Sequence, residues 1–190
     1  MKQEIEIEFK NMVTKNEFQT LCEAFSITSF IEQTNHYFET KNFALKETGS
    51  ALRIRFKSGS YILTLKQPAE IGLLETHQRL TEQEAEQMME TGIVVPGSVA
   101  NQLQALHIPL QLSYFGSLTT KRAETMYKEG LLIFDHSFYF NHDDYELEYE
   151  VKDESKKTDF LSLLGAYNIP VRPTQNKVQR FFLAKQNNAL

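Results

Sequence analysis

The residues able to do chemistry in this sequence are ionisable and set two apart. Glu4, Glu6 and Glu8 alternate with Ile5, Ile7 and Phe9, and Lys10 closes the run. Arg53, Arg55 and Lys57 alternate with Leu52, Ile54 and Phe56, and Glu146, Glu148 and Glu150 alternate with Leu147, Tyr149 and Val151. A period of two puts every charge of such a run on one face of a strand. Further runs add Lys66, then Glu75, His77 and Arg79, then Arg122 and Glu124, then Asp135 in phase with Leu131 and Ile133. A solvated outer sheet face would account for any one of these runs alone. Three carboxylates at i, i+2 spacing repel one another, however, and the sequence does this twice; a divalent cation compensates such a cluster. The Arg-x-Arg spacing suits forked guanidinium donors gripping successive phosphates. Together these are the parts of a metal–polyphosphate site.

Hard cations such as Mg²⁺ and Mn²⁺ take oxygen ligands and bridge a few carboxylates to substrate phosphates. The five histidines show no pairing at zinc-ligand spacing. No Gly-x-x-x-x-Gly-Lys-Ser/Thr loop is present, and Gly49 and Gly59 sit in turns. Cys22 shares a helical face with Phe18, Leu21 and Phe25, which makes it a packing residue rather than a reactive thiol.

The elements that must position these charges are mostly strands. Thr14 with Glu17 forms a capping box for a first helix, and Thr81 with Glu84 forms another for a helix over 82–91. Residues 29–40 and 43–47 read as extended, and Ser58-Gly59-Ser60 turns Ala51–Lys57 into Tyr61–Gln67. Pro68 ends that strand, and Leu73–Leu80 is another. Pro96-Gly97 precedes a short helix to about His107. Strands follow near 110–115, 117–127, 130–139 and 143–152, with Gly116, Gly130 and Asn141-His142-Asp143 as the breaks. Asp153 opens a helix carrying Phe160, Leu163 and Leu164, and Pro173 opens a last one through Lys185. The expected fold is α+β but mainly β: an eight-stranded antiparallel barrel or tunnel with helices packed outside. The helical segment 82–107 is placed to separate two four-stranded halves. Glu6, Glu8, Lys10, Arg53, Arg55, Lys66 and Glu148 should share one lumen, with Ile7, Phe9, Ile54 and Phe56 packed under helices.

The chain has 190 residues, 41% hydrophobic and 24% charged, with 14 Phe and 8 Tyr to fill a core, so one domain over 1–185 with a frayed tail 186–190 is expected. A net charge of −5 gives no general attraction for nucleic acid or anionic membrane, so an anionic ligand must be held by local Lys and Arg. A lone cysteine, a charged N-terminus and the lack of a membrane-length apolar run favour the cytoplasm.

Glu6-x-Glu8-x-Lys10 resembles the motif that opens the CYTH superfamily, the triphosphate tunnel metalloenzymes. The order of later residues agrees: Arg53-x-Arg55, Lys66, Arg79, Arg122, Asp135, the Glu146/Glu148/Glu150 strand, and Lys177 near the C-terminal helix. The resemblance runs from Glu4 to about Arg180. It implies that Glu6, Glu8, Glu148 and either Glu146 or Glu150 hold one or two Mg²⁺ or Mn²⁺ ions, with Asp135 a further carboxylate on the metal side. It also implies that Lys10, Arg53, Arg55, Lys66, Arg79 and Arg122 hold phosphate. Glu6, Glu8 and Lys10 would thus form the catalytic set. Lys177 and Arg180, at i, i+3, share a helix face that would meet the terminal phosphate at a tunnel opening.

The activity so implied is metal-dependent hydrolysis of a triphosphate, with tripolyphosphate asking least of the protein and nucleoside or thiamine triphosphates as other partners. The family also includes class IV adenylate cyclases. His36-Tyr37-Phe38 is loosely similar to an element of that branch, although core packing explains it more simply. Thiamine triphosphate is mildly disfavoured by the absence of Trp. A non-catalytic phosphate- or nucleotide-binding module would use the same basic residues, and a lipocalin-like carrier would require the charges to face outward.

Overall fold

The computed structural model describes residues 2–188. The strands are β1 (Lys2–Val13), β2 (Ile31–Glu39), β3 (Ala51–Lys57), β4 (Ser60–Pro68), β5 (Leu73–Leu80), β6 (Ser113–Tyr127), β7 (Gly130–Tyr139) and β8 (His142–Val151). The helices are α1 (Lys15–Ala24), α2 (Ala44–Glu47), α3 (Glu82–Thr91), α4 (Ser98–Ala105), α5 (Lys157–Ala166) and α6 (Lys177–Asn188). The strand order β1-β5-β4-β3-β2-β6-β7-β8 closes into an antiparallel barrel. Among the described residues no helix is long and apolar enough to cross a membrane.

Two compact units can be distinguished. One comprises Gln33–Leu118 with the chain's start through Ile5, and the other comprises Glu6–Glu32 with Thr119 onward. The helical segment 82–107, expected to separate two halves, lies wholly inside the first.

In the first unit the register pairs Leu52 with Leu65 and Ile54 with Leu63, and this apolar face, fully buried, packs with α3 and α4. The opposite face of the same strands carries Arg53, Arg55, Thr64, Lys66, Glu75 and His77. Phe56 departs from the expected packing: it is 37% exposed at the strand end, where its ring meets Tyr61 at 4.7 Å instead of lying under a helix. Residues 43–47 are also not extended. The buried Glu39 carboxylate accepts from the amides of Leu45 and Lys46 at 3.0 Å each, and Thr40 Oγ1 accepts from Ala44 N at 2.7 Å. These acceptors satisfy the first amides of α2, which a strand pattern could not reveal.

In the second unit Phe9 pairs with Tyr149 and Phe134 with Leu147, and this face packs with α1 and α5. The Phe18 ring meets Phe134 edge-on at 6.0 Å, and Phe160 stacks on Tyr149 at 6.1 Å. Thr14 caps α1 with the expected box. The segments expected at 110–115 and 117–127 are one strand from Ser113, because Gly116, at φ 132°, adopts a backbone open to glycine and lets the strand run through. Pro173 does not open the last helix. The buried Asn11 donates to Pro170 O (3.1 Å) and accepts from Arg172 N (2.7 Å), and Thr174 Oγ1 accepts from Met12 N (3.0 Å). That lashing to β1 holds the chain out of helix until Lys177. The tail expected to fray from Gln186 is helical through Asn188, while residues 189–190 lie outside the described set.

Two glycines report on this packing. Gly92 caps α3 at φ 72°, and a Cβ there would lie 1.9 Å from the Leu112 carbonyl oxygen. Gly92→Ala is expected to cost about 3 kcal/mol or more in denaturant unfolding. Gly165, in α5 with open space about its Cβ direction, is the contrast. Gly165→Ala is expected to add up to ~1 kcal/mol in the same assay.

Candidate metal and phosphate site

Strand register assembles the acidic face of the second unit. Glu8 lies opposite Glu150, Lys10 opposite Glu148, Asp135 opposite Glu146, and Arg122 opposite Asp135. Period 2 then adds Asp144 to the Glu146/Glu148/Glu150 series. Asp135 and Glu146 are fully buried, and Arg122, Asp144 and Glu148 nearly so. Charges so placed must find partners.

Part of the set is paired internally. Arg122 holds Asp135 with two forked bonds, Nε to Oδ1 at 2.7 Å and Nη2 to Oδ2 at 2.5 Å, and reaches Glu148 Oε2 at 2.8 Å. Lys177 Nζ enters from α6 and sits 2.8 Å from both Asp135 Oδ2 and Glu146 Oε1, and in short contact with Glu148. One turn on, Arg180 pairs with Glu146 Oε2 at 2.5 Å and with Asp144 Oδ2 at 2.9 Å. Tyr139 donates to the same Asp144 oxygen at 2.5 Å. Lys177 and Arg180 do share a face, and it meets carboxylates.

The electrostatics follow. Burial opposes the charge of Asp135, but Arg122 and Lys177 outweigh it and hold the carboxyl below its usual range. Glu148 is likewise held well below its usual range: burial is overcome by Lys177 and Arg122. Glu146 goes the other way, because burial, with the neighbouring Glu148 charge, pushes it up to about 7 against the pull of Lys177. Burial disfavours the Lys177 cation, yet Asp135, Glu146 and Glu148 raise it well above an ordinary lysine.

A second group has a different character. Single carboxylate oxygens of Glu6, Glu8 and Glu150 lie within 4.8 Å of one another, all half-buried. Lys10 Nζ contacts Glu8 and lies 2.9 Å from Asn176 Oδ1, just before α6. Three hard oxygen donors so close suit Mg²⁺ or Mn²⁺. The carboxylates expected to hold one or two ions fall into two groups: Glu6, Glu8 and Glu150 together, and Asp135, Glu146 and Glu148 around Lys177.

In the first unit the basic face is ordered by buried polar side chains. Asn35 accepts from Arg55 Nε at 3.0 Å. Lys66 pairs with the buried Glu75 at 2.5 Å. Arg53 Nε is buried without a hydrogen-bond partner, as is Gln33 Oε1. Arg79 is exposed at the edge of the face, with Nη2 3.4 Å from Ser60 Oγ. His36 and Phe38 belong to the other face, where His36 Nδ1 meets Tyr114 Oη at 3.0 Å and Phe38 joins the core. Sequence reading passed over Asp144, Asn35 and Asn176. Asp144 was in phase with the triple-Glu strand and open to detection; the two asparagines carry no periodic signal.

Comparison with known proteins shows the family and the fold. The family model described as the CYTH domain matches residues 4–182. YjbK of Bacillus subtilis strain 168, provisionally named a triphosphatase, is 49% identical over 193 residues, covering 99% of this chain and 100% of that protein. A crystal structure from Bacillus halodurans, provisionally described as an adenylate cyclase, superposes with a TM-score of 0.92 at 46% identity, covering 96% of this chain and 100% of that one. A Hippeastrum protein, described as a provisional adenylyl cyclase revealing a dominant triphosphatase activity, superposes at 0.79 with 22% identity, covering 95% and 96% of the two chains; at that identity the likeness is one of fold.

Removing the Lys177 cation should expose what it neutralises. Lys177→Ala is expected to destabilise the chain by about 3 kcal/mol at pH 7, since a buried acidic cluster loses its counter-ion. Asp135 and Glu148 have depressed folded-state values, so the stability they contribute is present above the ordinary carboxylate range and is lost as pH falls through their folded values. The gap between wild type and variant should therefore be widest near neutrality and close in acid, as read by unfolding midpoints from pH 3 to 8.

Proposed function

The chain belongs to the CYTH domain family, and from that membership we propose that it hydrolyses triphosphates with divalent metal, taking inorganic triphosphate to pyrophosphate and orthophosphate. The observation that carries the reading is the Glu6, Glu8 and Glu150 trio, whose carboxylate oxygens crowd within 4.8 Å. Crowded like charges are costly unless a cation joins them. Glu6, Glu8 and Glu150 would hold Mg²⁺ or Mn²⁺, and Asp135, Glu146 and Glu148 are the carboxylates for a second ion. Bound metal would supply charge neutralisation for the phosphate oxygens and activation of the attacking water.

The rest of the work falls to the chain's own residues. Lys10, Arg53, Arg55, Lys66, Arg79 and Arg122 would bind the non-terminal phosphates and neutralise charge on the leaving pyrophosphate, because phosphoryl transfer depends chiefly on positioning and electrostatics. Arg55 is pre-aligned by Asn35, and the buried Arg53 Nε has a donor to spare for an anion. Lys177 and Arg180 would exchange their carboxylates for the terminal phosphate, so that α6 settles once substrate is bound and excludes bulk water. Water oxygen then attacks the terminal phosphorus as the bridging P–O bond breaks, and pyrophosphate departs. Names given to relatives support a triphosphate-containing substrate: triphosphatase for the Bacillus subtilis protein and adenylate cyclase for the Bacillus halodurans one, the first of them also supporting hydrolysis. A cytoplasmic setting is part of the proposal, supported by a single, half-buried cysteine whose thiol burial pushes up to about 11.

The test is a panel of tripolyphosphate, ATP, GTP and thiamine triphosphate with Mg²⁺ or Mn²⁺, scoring phosphate, pyrophosphate and cyclic nucleotide. Phosphate release from tripolyphosphate should dominate and vanish on chelation. Glu6→Gln and Glu8→Gln should each lower turnover about 100-fold or more at limiting metal while leaving the fold intact. Wild-type rates in both variants would remove this strand from metal binding.

A further inference from the structure

His77 lies on the basic face and the proposed reaction does not use it, yet its surroundings are those of a device. From β5 its own neighbour in phase, Glu75, offers Oε2 at 3.1 Å to His77 Nε2, while Glu75 Oε1 holds Lys66 of β4 at 2.5 Å. From β1, Glu4 Oε1 lies 3.0 Å from the same ring nitrogen. Thr64 Oγ1 of β4 meets Nδ1 at 3.0 Å and fixes the ring plane. Arg53 of β3 acts on Glu75 by charge alone, and α4 contributes only an uncharged contact, Ser98 Oγ to the His77 carbonyl at 3.2 Å. Glu75 is 6% exposed, so its two oxygens face two cations with little help from water.

We propose that His77 is a positioning residue whose protonation sets how strongly Glu75 holds Lys66, and thereby tunes polyphosphate affinity with pH. This rests on the proposed role of Lys66 in phosphate binding. With His77 protonated, Lys66, Glu75, His77 and Glu4 sum to zero, and Glu75 divides its charge between two cations. With His77 neutral the group carries one net negative charge, Glu75 turns to Lys66 alone, and a polyanion is repelled. The hydrogen bond to Glu75 holds the His77 proton above its ordinary range against the effect of burial. Glu75 itself stays ionised throughout: burial opposes its charge, but His77 and Lys66 outweigh it.

The sign follows: affinity gains from His77 at low pH and loses the gain as pH rises through its folded value. Ionisation of the ligand is common to wild type and variant, so their ratio isolates the effect. Tripolyphosphate binding would be measured by titration calorimetry from pH 5.5 to 9 without divalent cation, on wild type, His77→Gln, His77→Lys and Lys66→Met. Wild type should bind about three- to tenfold more tightly than His77→Gln at pH 6 and equally at pH 9. His77→Lys, a permanent cation, should keep the low-pH affinity to pH 9. A purely structural His77 would instead shift melting temperature and affinity by the same amount at every pH, which overturns the inference. A loss of affinity in Lys66→Met with a constant wild-type to His77→Gln ratio overturns the inference alone. No binding by wild type, or none lost in Lys66→Met, overturns the Lys66 role and the inference with it.

Discussion

Like charges confined to one face of paired strands must be neutralised by something, and the rest of this chain is arranged around that constraint. Period 2 is what confines them: the same alternation that sends Leu147 and Tyr149 under α5 sends Glu146, Glu148 and Glu150 to the other face. Burial then raises the cost. Asp135 and Glu146 have essentially no solvent contact, and a buried carboxylate without a partner would cost several kcal/mol. Arg122, Lys177 and Arg180 supply the partners, which explains why a helix far along the chain is drawn against these strands. The same cations are those a phosphate would compete for. On the proposed reading, structural neutrality and ligand capture are two uses of one charge set.

The strand pattern was legible because it needs only alternation and turn residues. Leu73–Leu80 and the two capping boxes at Thr14 and Thr81 fall where their residues indicate. Those features are local: a side chain's face depends on its neighbours at i±1 and i±2, and a cap on residues three apart.

What sequence did not reveal depends on partners distant along the chain. α2 exists because Glu39, buried at the end of β2, caps it, and α6 begins at Lys177 because Asn11 and Thr174 lash the preceding segment to β1. The most consequential gap is the state of the carboxylates. Residue types alone cannot say that Glu6, Glu8 and Glu150 crowd together while Asp135, Glu146 and Glu148 surround an ammonium; register decides it, through the Glu8–Glu150 and Lys10–Glu148 pairings. The Glu75 arrangement is similar, since Lys66 and His77 lie eleven residues apart in sequence and meet only through the β4–β5 ladder.

On the proposed reading, this charge set exists to bind and split a triphosphate with a divalent ion. ³¹P NMR of tripolyphosphate incubated with the protein tests it directly. With Mg²⁺ or Mn²⁺ the triphosphate resonances should give way to orthophosphate and pyrophosphate in equal molar amounts, and chelation should halt the conversion. Tripolyphosphate that binds yet persists unchanged with either metal would contradict the claim and leave a phosphate-binding module in its place.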